Sequence, residues 1–312
     1  MSRFGELKRP DLRSIWKHEA NDFTPWLAKN IQRLGEALGM ELELTDKEVS
    51  VGKFSLDLLA KDLGTGRTVV IENQFGATDH DHLGKLLTYA GGFDATTVVW
   101  LGENIRDEHR QALEWLNQRT DSETQFFGVI AEILQIDDSK PAYNFRPVVF
   151  PNEWQKTRRT NKPTTSRGDA YRAYFQQLID ELRDIHKFTR ARAAQPMNWY
   201  TFASGISGFG FGANFNRGNR TSVELYIDRE DVDVNERLFD QLLSYRAVIE
   251  DEYGSELNWE KLDGRRACRI SDSRDGSILD TEETLLEIRA WHVEKLLLLK
   301  KALLPRLKEC EF

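Results

Sequence analysis

Two carboxylates stand where carboxylates are costly. Asp57 lies inside the apolar run Phe54-Ser55-Leu56-Asp57-Leu58-Leu59-Ala60. Glu72 closes a second run, Val69-Val70-Ile71-Glu72, with fourteen residues between the two acids. An unpaired carboxylate among leucines costs free energy, so the pair calls for a partner. Mg²⁺ takes oxygen ligands, usually one or two carboxylates, with water and substrate phosphate completing its shell. Such an ion polarises a phosphate and lowers the pKa of an attacking water. The chemistry expected is hydrolysis of a phosphodiester bond. Alternate strand residues share a face, so Glu72 and Gln74 look into one cleft, and Asp57 joins them if the hairpin register allows. The Asn73 carbonyl is a further oxygen ligand. The plain alternative is a pair of strand-end charges on an exposed face.

The elements around these residues follow from periodicity. Residues 22–39 predict a helix, capped by Asp22 or Thr24, with Pro25 in its first turn and Gly39 at its end. Residues 40–45 alternate as a half-buried strand, and 47–52 predict a further short strand or turn. Strands at 54–62 and 68–74 are joined by Leu63-Gly64-Thr65-Gly66. Thr78, with Asp81 three residues on, resembles a capping box opening a helix. A strand at 95–101, a helix at 106–118 and a strand at 125–136 follow. This order predicts an α/β domain with a mixed sheet flanked by helices.

The same stretch resembles the PD-(D/E)XK nuclease superfamily over roughly residues 15–136. The resemblance is carried by Asp57, Glu72 and the segment Ile71-Glu72-Asn73-Gln74-Phe75-Gly76-Ala77-Thr78-Asp79-His80-Asp81-His82-Leu83-Gly84-Lys85-Leu86-Leu87-Thr88-Tyr89. That segment is similar to a bacterial subgroup in which a second domain of unassigned function follows. The resemblance implies a restriction-endonuclease-like fold and a Mg²⁺- or Mn²⁺-dependent endonuclease acting on DNA. It also implies a role in defence against foreign DNA such as phage. Asp57 and Glu72 would be metal ligands. Glu19, beside His18 and near Trp16 and Phe23, would be an additional ligand of the first helix, with Glu36 the alternative.

Gln74 stands where the superfamily usually has lysine. Either Gln74 positions water by hydrogen bonding, or the cation comes from the next helix. Thr78, His82, Lys85 and Tyr89 are spaced four, three and four apart and share a helical face. Lys85 or His82 then faces the phosphate, and Tyr89 contacts nucleic-acid backbone or base. The alternative is a polar helix face in water.

The domain plan is a nuclease-like domain at 1–150, a basic linker at 151–168, and an α+β domain with an antiparallel sheet at 169–312. Net charge is −8, which argues against a uniformly basic nucleic-acid binder, yet residues 151–195 carry ten Lys and Arg against five Asp and Glu. Arg158, Arg159 and Lys162 there could track phosphates, or simply be solvated. The second domain is expected as a helix at 169–187, strands near 198–204, 207–215 and 221–228, a helix at 233–253, strands near 257–262 and 266–271, and a helix at 281–309. In 207–215, Phe209, Phe211 and Phe215 point one way, while Gly208, Gly210 and Gly212 leave the other face bare for a packed helix or a ligand.

Cys268 and Cys310 define no disulfide framework, which fits a reducing cytoplasm. The first ten residues hold no apolar run of signal-peptide length, and Leu296–Leu299 is too short to span a bilayer, so no membrane partner is expected. No GxSxG and no GxxxxGK[ST] occurs, which sets aside serine hydrolases and Walker-type nucleotide binding. Two further readings stand beside the nuclease. One is a catalytically inactive module that binds nucleic acid or protein on a nuclease scaffold, favoured by Gln74. The other is a second domain that senses a ligand or forms a homodimer through the apolar terminal helix.

Overall fold

The computed structural model describes residues 4–121, 124–151, 166–229 and 231–310. The chain divides into two compact units. The first takes the described residues within 1–38, 42–62 and 66–163, and the second those within 39–41, 63–65 and 164–312. No helix of the described residues is long and apolar enough to cross a membrane.

The first unit is built on a seven-stranded mixed sheet. Its strands are β1 (Leu7–Lys8), β2 (Leu42–Val51), β3 (Phe54–Asp62), β4 (Arg67–Ala77), β5 (Thr97–Asn104), β6 (Gln125–Ile136) and β7 (Ala142–Val149). The order runs β1-β6-β5-β4-β3-β2, with β7 also on β6. β2, β3 and β4 form an antiparallel meander, whereas β4, β5 and β6 are parallel. The parallel steps need crossovers, supplied by helices α3 (His80–Gly92) and α4 (Asp107–Arg119). β5 reads Thr-Val-Val-Trp-Leu and is buried along nearly its whole length, as a central strand covered on both faces must be.

Three local expectations change. The helix expected at 22–39 is a π-helical turn at Glu19–Phe23 followed by α1 (Thr24–Lys29) and α2 (Ile31–Leu38). The break is at Asn30, whose φ of −124° and ψ of 25° leave the helix while its side-chain Nδ2 donates to the Trp26 carbonyl at 2.8 Å. The two short strands expected at 40–45 and 47–52 are one strand, β2, because a bulge between Leu44 and Asp46 absorbs the lapse in alternation. β7 was not foreseen. Pro147 sits in it and cannot donate to a ladder, so its sequence reads poorly as a strand. It pairs only with β6, at an edge.

The second unit is a five-stranded antiparallel sheet in the order β11-β12-β10-β9-β8. The strands are β8 (Trp199–Ala203), β9 (Phe209–Asn216), β10 (Arg220–Ile227), β11 (Asn258–Lys261) and β12 (Cys268–Asp275). Its helices are α5 (Ser166–Asp184), α6 (Val232–Ser244), α7 (Arg246–Tyr253) and α8 (Glu282–Leu307). The helix expected at 233–253 divides at Tyr245, where φ is −97° and ψ is 8°. Phe209, Phe211 and Phe215 enter a core shared with Phe175, Leu178, Leu296 and Leu299.

Side chains of the flanking strands, in place of the expected helix, are the nearest neighbours of Gly210 and Gly212. A Cβ on Gly212 would stand 3.0 Å from Glu224 Cγ, and one on Gly210 would meet Thr201, so side chains of the flanking strands fill that face. The apolar stripe of α8, offered above as a dimer surface, is core: Ile288, Leu296, Leu299 and Leu303 are fully buried within the unit. Both cysteines are buried and free.

Candidate active site

The β3–β4 ladder runs from Asp62 opposite Arg67 to Leu58 opposite Ile71. The ladder ends there, and Asp57 and Glu72 are the next residues along each strand. Two side-chain contacts hold the strands together there. Asn73 N donates to Asp57 Oδ2 at 2.7 Å, and the Asp57 N–H faces the Glu72 carboxylate. Paired strand residues share a face, so Asp57 and Leu59 lie with Val70, Glu72 and Gln74 under α3. Leu59 and Val70 pack there with Leu86 and Tyr89.

Glu72 is 3% exposed, and its Oε2 makes no hydrogen bond. Burial pushes its carboxyl up, the Asp57 charge adds to the rise, and the Lys85 ammonium draws it back. Burial likewise raises Asp57; the Asn73 N–H opposes this, Glu19 adds to it, and His82 and Lys85 oppose it. Glu19, His82 and Lys85 thus all act on the Asp57 carboxyl, and Asp57, Lys85 and Glu19 on that of Glu72. The structure brings these five expected residues together.

Glu19 arrives from the π-helical turn. In the parallel β4–β5 ladder the register shifts between Gln74 and Ala77, which frees backbone N–H groups on β4. Glu19 Oε2 accepts from Phe75 N, and Glu103 Oε2 accepts from Gly76 N at 2.5 Å. The bulge thus fixes where the Glu19 carboxylate sits. Glu36, the alternative, pairs with Arg33 at 3.0 Å on α2.

Gln74 is 6% exposed and fully engaged. Its Nε2 donates to Asp79 Oδ2 at 2.7 Å and to the Ala77 carbonyl at 3.2 Å, and its Oε1 accepts from Trp100 Nε1 at 3.2 Å. Asp79 is the hub on the other side. Its Oδ1 accepts from His82 N at 2.9 Å and lies 2.8 Å from His82 Nδ1. Burial raises the Asp79 carboxyl, but the His82 N–H and ring and the Gln74 amide together hold it at about 2.

Asp79, not Thr78, caps α3. Thr78 is off the helix and buried, its hydroxyl accepting from Arg106 N at 3.0 Å and lying 2.7 Å from His109 Nδ1. His109 Nε2 continues the chain to His80 Nδ1 at 3.0 Å. The shared face of the spacing argument therefore begins at His82.

Tyr89, expected to touch nucleic acid, is wholly buried and donates to the Ser55 carbonyl at 2.8 Å. Burial, with Glu72 and Asp57 behind it, pushes its hydroxyl up to about 12. It ties α3 to β3 and offers nothing to a ligand. Arg158, Arg159 and Lys162, and the linker from 152 to 165, lie outside the described residues.

Sequence reasoning missed Asp79, Trp100, Glu103 and Thr24. Thr24 Oγ1 accepts from Asn73 Nδ2 at 2.9 Å on the opposite face of β4. Only Asp79 carried a readable signal, since Asp before a helical run is a strong N-cap.

Among the described residues no three His, Cys, Asp or Glu side chains form a ready metal-binding group. The donor set nonetheless suits Mg²⁺, which needs only one or two protein carboxylates. Glu72 Oε2, buried without a partner, is an oxygen of the kind such an ion satisfies. Asp57 and Glu72 would hold it, and Glu19 is committed to the Phe75 N–H.

Residues 170–307, within the second unit, match a family described as a domain of unknown function (DUF4268). No curated protein and no solved structure matches the chain. The match lies outside the segment that carries Asp57 and Glu72.

Proposed function

We propose that the first unit is a restriction-endonuclease-like, Mg²⁺- or Mn²⁺-dependent endonuclease of the PD-(D/E)XK kind. Its substrate in this reading is DNA, its setting the cytoplasm and its role defence against foreign DNA. One observation carries the proposal: half-buried Asp57 and buried Glu72 lie next to each other just past the end of the β3–β4 ladder, with Glu72 Oε2 lacking any hydrogen bond. Two carboxylates raised by burial are a poor structural device and a good receptor for a cation.

When bound, the ion supplies Lewis-acid polarisation of the phosphate and a more acidic water. The chain's own groups do the rest. Lys85, which draws both carboxylates down, neutralises charge developing on the phosphate oxygens. Asp79 holds the His82 ring at the start of α3. Gln74 acts at one remove: its amide is engaged by Asp79, Ala77 and Trp100, so it braces the end of β4 rather than contacting water.

That same engagement favours a second reading, a binding module without catalysis, because the position usually held by lysine carries no free donor. A cleavage panel separates the two. The protein is incubated with single- and double-stranded DNA and RNA, with Mg²⁺, Mn²⁺ or chelator, beside Asp57→Asn and Glu72→Gln. Metal-dependent cutting lost in both variants supports the nuclease. Binding without cutting under any metal supports the module.

A further inference from the structure

The outer face of the second sheet is polar and recessed. Ser222 pairs with Ser273 and Glu224 with Ser271, and Asn258 stands opposite Ser271, so these side chains share one face. Ser222 and Ser271 are 4% and 6% exposed. They floor a groove of about 730 Å³. A covered sheet face is ordinarily apolar, whereas this one presents hydroxyls beneath a rim of arginines.

Arg217, Arg220, Arg246 and Arg269 line the groove, against a single acidic lining residue, Glu260. Arg220 pairs with Asp275 at 2.9 Å and donates to Ser273 Oγ at 2.6 Å. Arg246 pairs with Glu250 at 3.0 Å. Arg269 pairs with Glu260 at 2.8 Å and approaches Glu224 at 3.5 Å. Arg217, exposed at the tip of the β9–β10 hairpin, makes no hydrogen bond or ion pair among the described residues. The four come from the hairpin, the start of α7 and β12. Three of the four are thus charge-paired with neighbouring carboxylates, and Arg217 has no such partner among the described residues.

We propose that this groove binds the phosphodiester backbone of a nucleic-acid strand. Arginine forks match phosphate oxygens, and the floor hydroxyls and the Asn258 amide add neutral hydrogen bonds. Arginine forks from three elements over a polar floor suit a strand that is tracked without regard to sequence. The site lies wholly in the second unit and stands whether or not the first unit cuts.

Fluorescence anisotropy on the full chain tests it, with labelled oligodeoxythymidine in chelator so that nothing is cut. Arg217→Ala/Arg246→Ala is expected to weaken binding about tenfold and to lower the slope of log affinity against log salt by about 0.7 per lost phosphate contact. Arg217→Ala, which removes no internal contact, is expected to move both quantities the same way with an unchanged melting temperature. Unchanged affinity and slope in both arginine variants would overturn the proposal. So would inorganic phosphate or a mononucleotide binding as tightly as the oligonucleotide.

Discussion

Asp79 receives the side-chain amide of Gln74 at 2.7 Å, and this pairing turns Gln74 away from the carboxylates it follows in sequence. The amide is locked between a helix cap, a carbonyl and an indole. The cation acting on Asp57 and Glu72 comes from α3, as Lys85.

Lys85→Met is therefore expected to reduce cleavage more than Gln74→Leu does. Loss of a charge-stabilising group costs about 3 kcal/mol, or roughly 10²-fold in rate. Gln74→Leu strands the Trp100 N–H and should instead cost about 1–3 kcal/mol of stability. Cleavage rates beside thermal melts separate the two. Equal rate losses in both variants would show that Gln74 contributes to the chemistry.

The contribution of Glu72 to metal-free stability should fall as pH rises. Glu72 has a carboxyl raised above its ordinary value of 4.5, so folding favours its protonated form. That contribution is complete below 4.5 and is lost as pH rises until Glu72 itself ionises. Glu72→Gln should thus melt higher than the parent at neutral pH without metal, with a flatter pH profile. Parallel profiles for the two proteins would contradict the raised carboxyl.

Mg²⁺ should reverse this. An ion held by Asp57 and Glu72 stabilises the fold by about 1.4 kcal/mol at ten times its Kd, and it should do so in the parent but not in Asp57→Asn. Melting across a metal titration reads this without any cleavage. A shift of equal size in Asp57→Asn would place the ion elsewhere.

The core of the second unit offers an acid-sensitive control. His292 is fully buried, with Nδ1 2.7 Å from Tyr174 OH and Nε2 2.9 Å from Thr221 Oγ1. Burial holds its ring down at about 3, so the fold accommodates the neutral form, and stability is lost as pH falls below the ordinary value of 6.5. Tyr174→Phe leaves Nδ1 unpaired and should cost about 1–3 kcal/mol with cleavage unchanged at permissive temperature. A melt indistinguishable from the parent would show that this network contributes nothing.

Local pattern determined much of this protein. Alternation and apolar runs placed β3, β4, β5 and β6 within a few residues, and the approximate positions of the strands of the second sheet, because burial on one face writes a period directly into the chain. It also placed Asp57 and Glu72 on adjoining strands. What pattern could not decide was anything set by partners distant in sequence. The meeting of β3 and β4 brings the Asp57 carboxylate to the Asn73 N–H, beside Glu72. A bulge in β4 frees the N–H groups that capture Glu19 and Glu103. Tyr89 has helical spacing suited to a ligand, yet the Ser55 carbonyl takes it into the core. Gln74 reads as a near neighbour of the acids, and only the fold supplies Asp79 and Trp100 to hold it away. Hydrophobic period is a local property of sequence, whereas the direction of a polar side chain follows from whichever hydrogen-bond partner the tertiary structure brings near.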